Sequence, residues 1–345
     1  MPSLLEPIRI GALNCPNRII MSPMTRNGAP NAIPNKMMLD YYVRRASFGL
    51  VITEGITVSP MAVGYPRVSE IWTMEQTKAW REITTSVHEA GGRIIAQLWH
   101  VGRLSYPYHL NESKPIGPSA IAAPGDVINM MPTEPYPVPR ALDIWEVPEI
   151  CGIRRCGASW ANGYILDQFL TDSTNSRVDE YGGTIENRAK LLLGAVDAVV
   201  SVWGADRVGI QLSPRPSPGW HGDSNPIGIF SYLMRELSPR QIAFVIVRES
   251  PNKQPYIGAH LRPLFSGTYI SNEEFSPDTA KRAVLQGDTD AVAFGQLALA
   301  NPDLPKRIAD EAPLNHGDIS TYWSAGSKGY DDYPTLDILY TTTST

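Results

Sequence analysis

The sequence predicts an α/β fold, a (β/α)₈ barrel of the TIM type, and two observations lead there. Short β-branched apolar runs recur along the chain, and helical patterns separate them. Continuously apolar strands alternating with helices imply a parallel sheet covered on both faces. Repeated β-α units in this number fit a barrel. The 345 residues are 43% hydrophobic and 19% charged, enough to bury a large core. Such barrels run past about 250 residues as one unit. The expected organisation is one domain over 1–340, with a disordered tail at 341–345.

The elements follow in order. Arg18–Met21 reads as the first strand and Gly49–Thr53 as the second, with a helix around Lys36 to Ser47 between them. A helix around Glu75 to Ala90 ends at Gly91-Gly92, as helices do at C-terminal glycines, and leads into a third strand, Arg93–Leu98. Further strands are Arg207–Leu212, Ile242–Val247, Thr268–Ser271 and Asp290–Phe294. Helices are expected around Ile185 to Trp203, Pro226 to Leu237, Pro277 to Gln286 and Pro302 to Ala309.

That makes seven strands, and the gap falls between Gln97 and Arg207. Ser105 to Arg140, rich in Pro and polar residues, reads as a long lid loop with room for a hairpin. Val147 to Gly157 must then supply both a helix and a fourth strand, although a parallel crossover needs about a dozen residues or more. The β3–β4 region is therefore shortened. The expected fourth strand is Gly152–Gly157, without a covering helix, and the bare barrel side would suit self-association into a homo-oligomer.

Composition excludes several classes of function. The net charge of −5 and the lack of a basic run argue against nucleic acid. No apolar stretch approaches the roughly 18 residues of a membrane span. The N-terminus, Met1 to Pro7, lacks the basic and apolar regions of a signal peptide. Three cysteines, Cys15, Cys151 and Cys156, are too few for a disulfide framework and read as free thiols of a cytoplasmic protein. The six histidines show no metal-ligand spacing, so no metal is expected, and His100 is read as structural beside Trp99 and Arg103.

Motifs then accumulate along the whole chain. They include Ser22-Pro23-Met24-Thr25-Arg26, Thr53-Glu54-Gly55, Gly64-Tyr65-Pro66 and Gln97-Leu98-Trp99-His100-Val101-Gly102-Arg103. Gly163 to Leu170, Glu180 to Gly183, Ile185 to Ala189 and Ala300 to Leu304 continue the series. Together, in this order, they resemble the old yellow enzyme family of NADH:flavin oxidoreductases, the FMN-dependent ene-reductases. The resemblance implies FMN across the C-terminal mouth of the barrel, NAD(P)H as reductant, and a small α,β-unsaturated carbonyl compound as substrate. Carried over by position, Pro23, Thr25, Gly55 and Gln97 would contact the flavin ring. Asn162 would hold the substrate carbonyl, and Tyr164 would give a proton to the α-carbon.

Five positions depart from the family pattern. Ser159 stands at the family histidine, three residues before Asn162. Gln211 replaces an arginine at the flavin's pyrimidine edge. Glu273 and Glu274 replace the glycine pair of the phosphate site, and Gln296 replaces its arginine. A phosphate wants backbone N–H groups and a guanidinium, and two glutamates repel a dianion. Two lost charged hydrogen bonds, at roughly 1.5–3 kcal/mol each, amount to about two to four decades of affinity. Arg215, Arg248 and Arg262 are the cations available as replacements. The reading is thus an ene-reductase with an altered flavin site. The alternatives are a flavin-free isomerase or cyclase using Tyr164 and Asn162, or an inactive relic.

Overall fold

The computed structural model describes residues 2–127, 133–150, 158–160, 163–215, 222–254, 256–323 and 326–338, with only the backbone described at 158–160. Eight parallel strands are hydrogen-bonded in a closed barrel. They are β1 (Ile19–Met21), β2 (Leu50–Thr57), β3 (Ile94–Trp99), β4 (Ala158–Trp160), β5 (Gly209–Leu212), β6 (Phe244–Arg248), β7 (Thr268–Asn272) and β8 (Ala291–Phe294). Each follows its predecessor around the ring, and β8 returns to β1. The (β/α)₈ class predicted from the alternation is the fold observed.

Two compact units divide the chain. The first comprises Met1–Ile56, Arg67–Gln97 and Asn272–Thr345. Its β1 pairs Ile20 with Leu50 of β2 and with Ala293 of β8. Around these strands lie α1 (Lys36–Val43) and α2 (Met74–Glu89). Asn35 caps α1 by accepting the Met38 N–H, and Thr73 with Gln76 forms a capping box on α2. Trp80, Ile83 and Val87 fall on one face of α2 and are buried with Ile19, Val51 and Val292 in one core. Arg45, fully buried, donates to the carbonyls of Tyr41, Ala298 and Leu299. Cys15 is buried here as a free thiol, and burial pushes its pKa up to about 11.

The second unit comprises Thr57–Pro66 and Leu98–Ser271 and has its own core, including Phe169, Leu192, Ile210, Leu233 and Val245. The long predicted helices are present as Ile185–Trp203 and Pro226–Leu237, capped by Thr184 and Asn225. The expected lid from Ser105 to Arg140 contains a 3-10 turn at Pro107–Leu110. Ile116–Gly117 pairs in parallel with Arg140–Ala141, and Asp126 bridges Pro135 antiparallel.

The fourth strand corrects the sequence reading. Residues 151–157, where it was expected, lie outside the described residues. The segment that pairs with β5 is Ala158–Trp160, matching Ser159 to Ile210 and Trp160 to Gln211. The strand count is therefore eight. Ala-Ser-Trp has no β-branched run, and its strand conformation comes from the neighbour's ladder rather than from local propensity. The helix preceding it in the described residues is α3, only Val147–Ile150. The predicted tail at 341–345 also lies outside the described residues.

Candidate active site

Within the first unit, the predicted ring-contact residues cluster at strand ends. The chain leaves β1 through Ser22, whose N–H donates to Phe294 O of β8 at 2.9 Å. Asn272 at the end of β7 donates its side-chain amide to Ala293 O at 2.8 Å and to Ser22 Oγ at 3.3 Å. These bonds fix the start of the segment that carries Pro23 and Thr25, both half-buried. Gly55 lies buried in β2, and Gln97 is buried in β3 with its N–H on Thr53 Oγ1 at 2.9 Å. A flavin ring needs hydroxyl and amide partners and a wall without bulk. Thr25, Gln97 and Gly55 fit that requirement.

Glu54 of β2 is buried. Burial pushes its pKa up to about 7, and the Arg26 backbone N–H and then the Arg26 cation pull it back. Arg26 is itself held by the carbonyls of Tyr322 and Gly329, at 2.7 and 2.6 Å, and lies over the Tyr330 ring. Sequence reasoning assigned no role to Glu54. Its signal was a carboxylate inside an apolar strand.

The phosphate positions lie in the same unit. Glu273 and Glu274 have φ of 89° and 59°, the left-handed region that favours glycine. The loop carries two carboxylates on a backbone that favours glycine. Gln296 begins a short helix, Gln296–Ala300, after Gly295, and its side chain is exposed. Gly295 packs against Met24, whose Sδ a Cβ there would meet at 3.0 Å. The side chains at 273, 274 and 296 are two carboxylates and an amide, and they do not suit a phosphate dianion.

The second unit holds the predicted proton donor. Tyr164 sits at the N-cap of α4 (Ile165–Leu170), after Gly163 turns the chain with φ of 77°. The Gly163 N–H donates to Asp167 at 2.7 Å, and Gln168 Nε2 donates to the carbonyls of Val101 and Gly163. Burial pushes the Asp167 pKa up to about 6. The Tyr164 ring meets Trp99 edge-on at 4.9 Å, and Trp99 stacks on Tyr65 at 5.1 Å. Burial raises the Tyr164 pKa, while a hydrogen bond from Tyr65 and the Arg248 cation lower it. Tyr65 was missed as a functional residue. Its motif was noted, but its partners come from distant strands.

The remaining predicted positions divide. Ser159 lies in β4, paired to Ile210. Asn162 lies outside the described residues. Gln211 is buried in β5 with its Oε1 unpartnered, an acceptor where the family has a cation. Of the candidate replacement cations, Arg215 donates to Glu249 at 3.0 Å and Arg262 lies over Tyr269. Arg248 is the one whose charge acts on Tyr164.

A parallel (β/α)₈ barrel with its polar groups gathered at strand ends and the turns that follow them is an enzyme architecture of a well-defined class. Comparison with known proteins places the chain within that class. The NADH:flavin oxidoreductase / NADH oxidase family matches residues 3–153 and 157–315, and the chain belongs to this family. A probable flavin mononucleotide-dependent alkene reductase of Leishmania infantum is 36% identical over 96% of this chain and 97% of its own. 12-Oxophytodienoate reductase 2 of Arabidopsis thaliana is 37% identical over 97% and 96%. Among solved structures, the old yellow enzyme homologue from Zymomonas mobilis superposes with a TM-score of 0.94 at 38% identity, covering 97% of this chain and all of that one. Morphinone reductase in complex with tetrahydroNAD gives 0.93 at 38%, covering 98% of each.

Proposed function

We propose that the protein reduces the C=C bond of a small α,β-unsaturated carbonyl compound, with FMN and NAD(P)H, and that it holds FMN weakly. The observation that carries this reading is the half-buried Tyr164, placed by a glycine turn and set edge-on against Trp99, which stacks on Tyr65. FMN, when bound, supplies the hydride carrier between NAD(P)H and substrate. The chain's own groups do the rest. The Thr25 hydroxyl and the Gln97 amide hold the ring edge, and Gly55 and Pro23 leave it room. The Asn162 amide donates to the substrate carbonyl and draws charge from the double bond. Tyr164 gives its phenolic proton to the α-carbon, and Tyr65 stabilises the phenolate that remains. Ser159 adds no imidazole, so Asn162 polarises the carbonyl alone.

Weak cofactor binding rests on Glu273, Glu274, Gln296 and Gln211. The test is the visible absorption spectrum of the purified protein during FMN titration. Saturable binding, about two to four decades weaker than in a relative with the glycine pair and both arginines, is expected. A protein that never binds FMN overturns the reading. The same residues favour a second reading, a flavin-free isomerase or cyclase on this scaffold. It requires turnover of an unsaturated carbonyl compound without FMN or NAD(P)H, lost in Tyr164→Phe.

A further inference from the structure

Register sorts the side chains of β5 and β6 onto two faces. Ile210 pairs with Val245, and Leu212 pairs with Val247. All four are buried in one core with Leu192 and Leu233, which come from the helices Ile185–Trp203 and Pro226–Leu237. Side chains alternate along a strand, so Gln211 and its partner Ile246 face away from those helices. Gly209 and Phe244 do the same, and a Cβ on Gly209 would run into the Phe244 ring. Arg248 closes β6 two residues beyond Ile246. It therefore shares the face of Gln211 and stands roughly 7 Å nearer the C-terminal strand ends, where barrels of this class place their chemistry. Gln211 is buried and neutral, and Arg248 is half-buried.

The neighbouring charges have other tasks. Glu249, on the opposite face, is buried and accepts from the N–H groups of Ile257 and Gly258 at 3.0 and 2.7 Å and from Arg215 Nε at 3.0 Å. These bonds pin the end of β6 and engage Arg215. Arg262 donates to the Phe265 carbonyl and lies over Tyr269. The phenols Tyr65 and Tyr136 surround Tyr164, and Arg248 is the cation that acts on it. We propose that Arg248 is the charge-balancing residue of the reaction, opposing from β6 the negative charge that Tyr164 and reduced FMN gain. This role rests on the ene-reductase reading, in which FMN and Tyr164 serve the two ends of one double bond. A cation beside Tyr164 then lies within reach of both. Coulomb attraction falls only as the inverse of distance, so Arg248 favours the reduced cofactor without touching its ring.

Oxidised FMN and dithionite-reduced FMN, titrated calorimetrically without oxygen into the full chain, test this role. In Arg248→Met the reduced form is expected to lose about tenfold or more in affinity relative to the oxidised form, equivalent to about 30 mV in a two-electron potential. Arg248→Lys is expected to keep the preference. Adding Gln211→Arg to Arg248→Met returns a cation to the same face and is expected to restore it. Arg248→Gln takes the place of Arg248→Met should that variant fail to fold. Equal loss of both forms, or no rescue by either added cation in folded protein, overturns the assignment. A chain that binds neither form overturns the ene-reductase reading instead, and Arg248 is then judged without flavin. NMR of carbon-labelled tyrosine, with the Tyr164 signal identified by its loss in Tyr164→Phe, should show ionisation at higher pH in Arg248→Met and not in Arg248→Lys. An unmoved signal overturns the charge assignment.

Discussion

The loop after β7 and the turn after β4 set side chain against backbone in opposite ways. After β7 the backbone favours glycine and the side chains are glutamates. Glu273 and Glu274 hold left-handed conformations. After β4 side chain and backbone agree. Gly163 takes the positive φ, and Asp167 and Gln168 hydrogen-bond to it in the turn that carries Tyr164. A backbone conformation can outlast the residues that favour it when neighbours over-determine it. Here Asn272, bonded to Ala293 and Ser22, fixes the loop entrance. The turn that carries Tyr164 is likewise held from outside itself, by Gln168 donating to the Val101 carbonyl.

This contrast can be broken most severely at Tyr164. Tyr164→Phe keeps the packing on Trp99 and removes the proton. Reduction of a cyclic enone with saturating FMN and NADPH is expected to fall about 100-fold or more, with an unchanged melting temperature. Retention of full rate would remove the turn after β4 from the chemistry.

The loop after β7 is probed by the double substitution Glu273→Gly and Glu274→Gly. Left-handed non-glycine residues cost about 1–3 kcal/mol each, and added glycine freedom in the unfolded chain returns about 0.4–1 each. The strain term wins, so the apoprotein should melt about 2–4 °C higher or more. FMN affinity, read by fluorescence quenching, should rise about tenfold or more as the repulsion goes. A lower melting temperature would show that the glutamates, and not the neighbours, hold the loop.

A third comparison uses two carboxyls, the buried Glu54 in the first unit and the half-buried Asp167 in the second. Both have pKa values raised by burial, to about 7 and about 6, against ordinary values of 4.5 and 3.8. The folded state therefore holds its protons longer than the unfolded chain. Stability from this source is complete below the ordinary values and is lost as pH rises toward the raised ones. Melting temperature should fall across about pH 4.5–7 for Glu54 and about pH 3.8–6 for Asp167. Glu54→Gln and Asp167→Asn should each flatten their own window in thermal melts at stepped pH.

The smallest effect is expected at Tyr65. Its hydrogen bond lowers the Tyr164 pKa, so Tyr65→Phe raises it further. The alkaline limb of the rate profile should move to higher pH, because Tyr164 works protonated. The rate at pH 7 should drop about threefold, as expected of a weaker acid. An unmoved alkaline limb would make Tyr65 a packing residue.

Legibility followed the source of each structure's information. Strands such as Ile19–Met21 and Phe244–Arg248 are apolar runs, and their own residues announce them. Ala158–Trp160 is a strand because Ile210 and Gln211 pair with it, and no local pattern could say so. Tyr164 was readable from its motif, whereas its bond to Tyr65 joins chain segments far apart.

Cys15 offers a practical consequence. With its pKa pushed up to about 11, about one such thiol in ten thousand is ionised at pH 7, and its side chain is buried. A maleimide or iodoacetamide label added to the folded protein would pass it by. Any label taken up would report on Cys151 and Cys156 alone, and the stretch between β3 and β4 carries its own intrinsic tags.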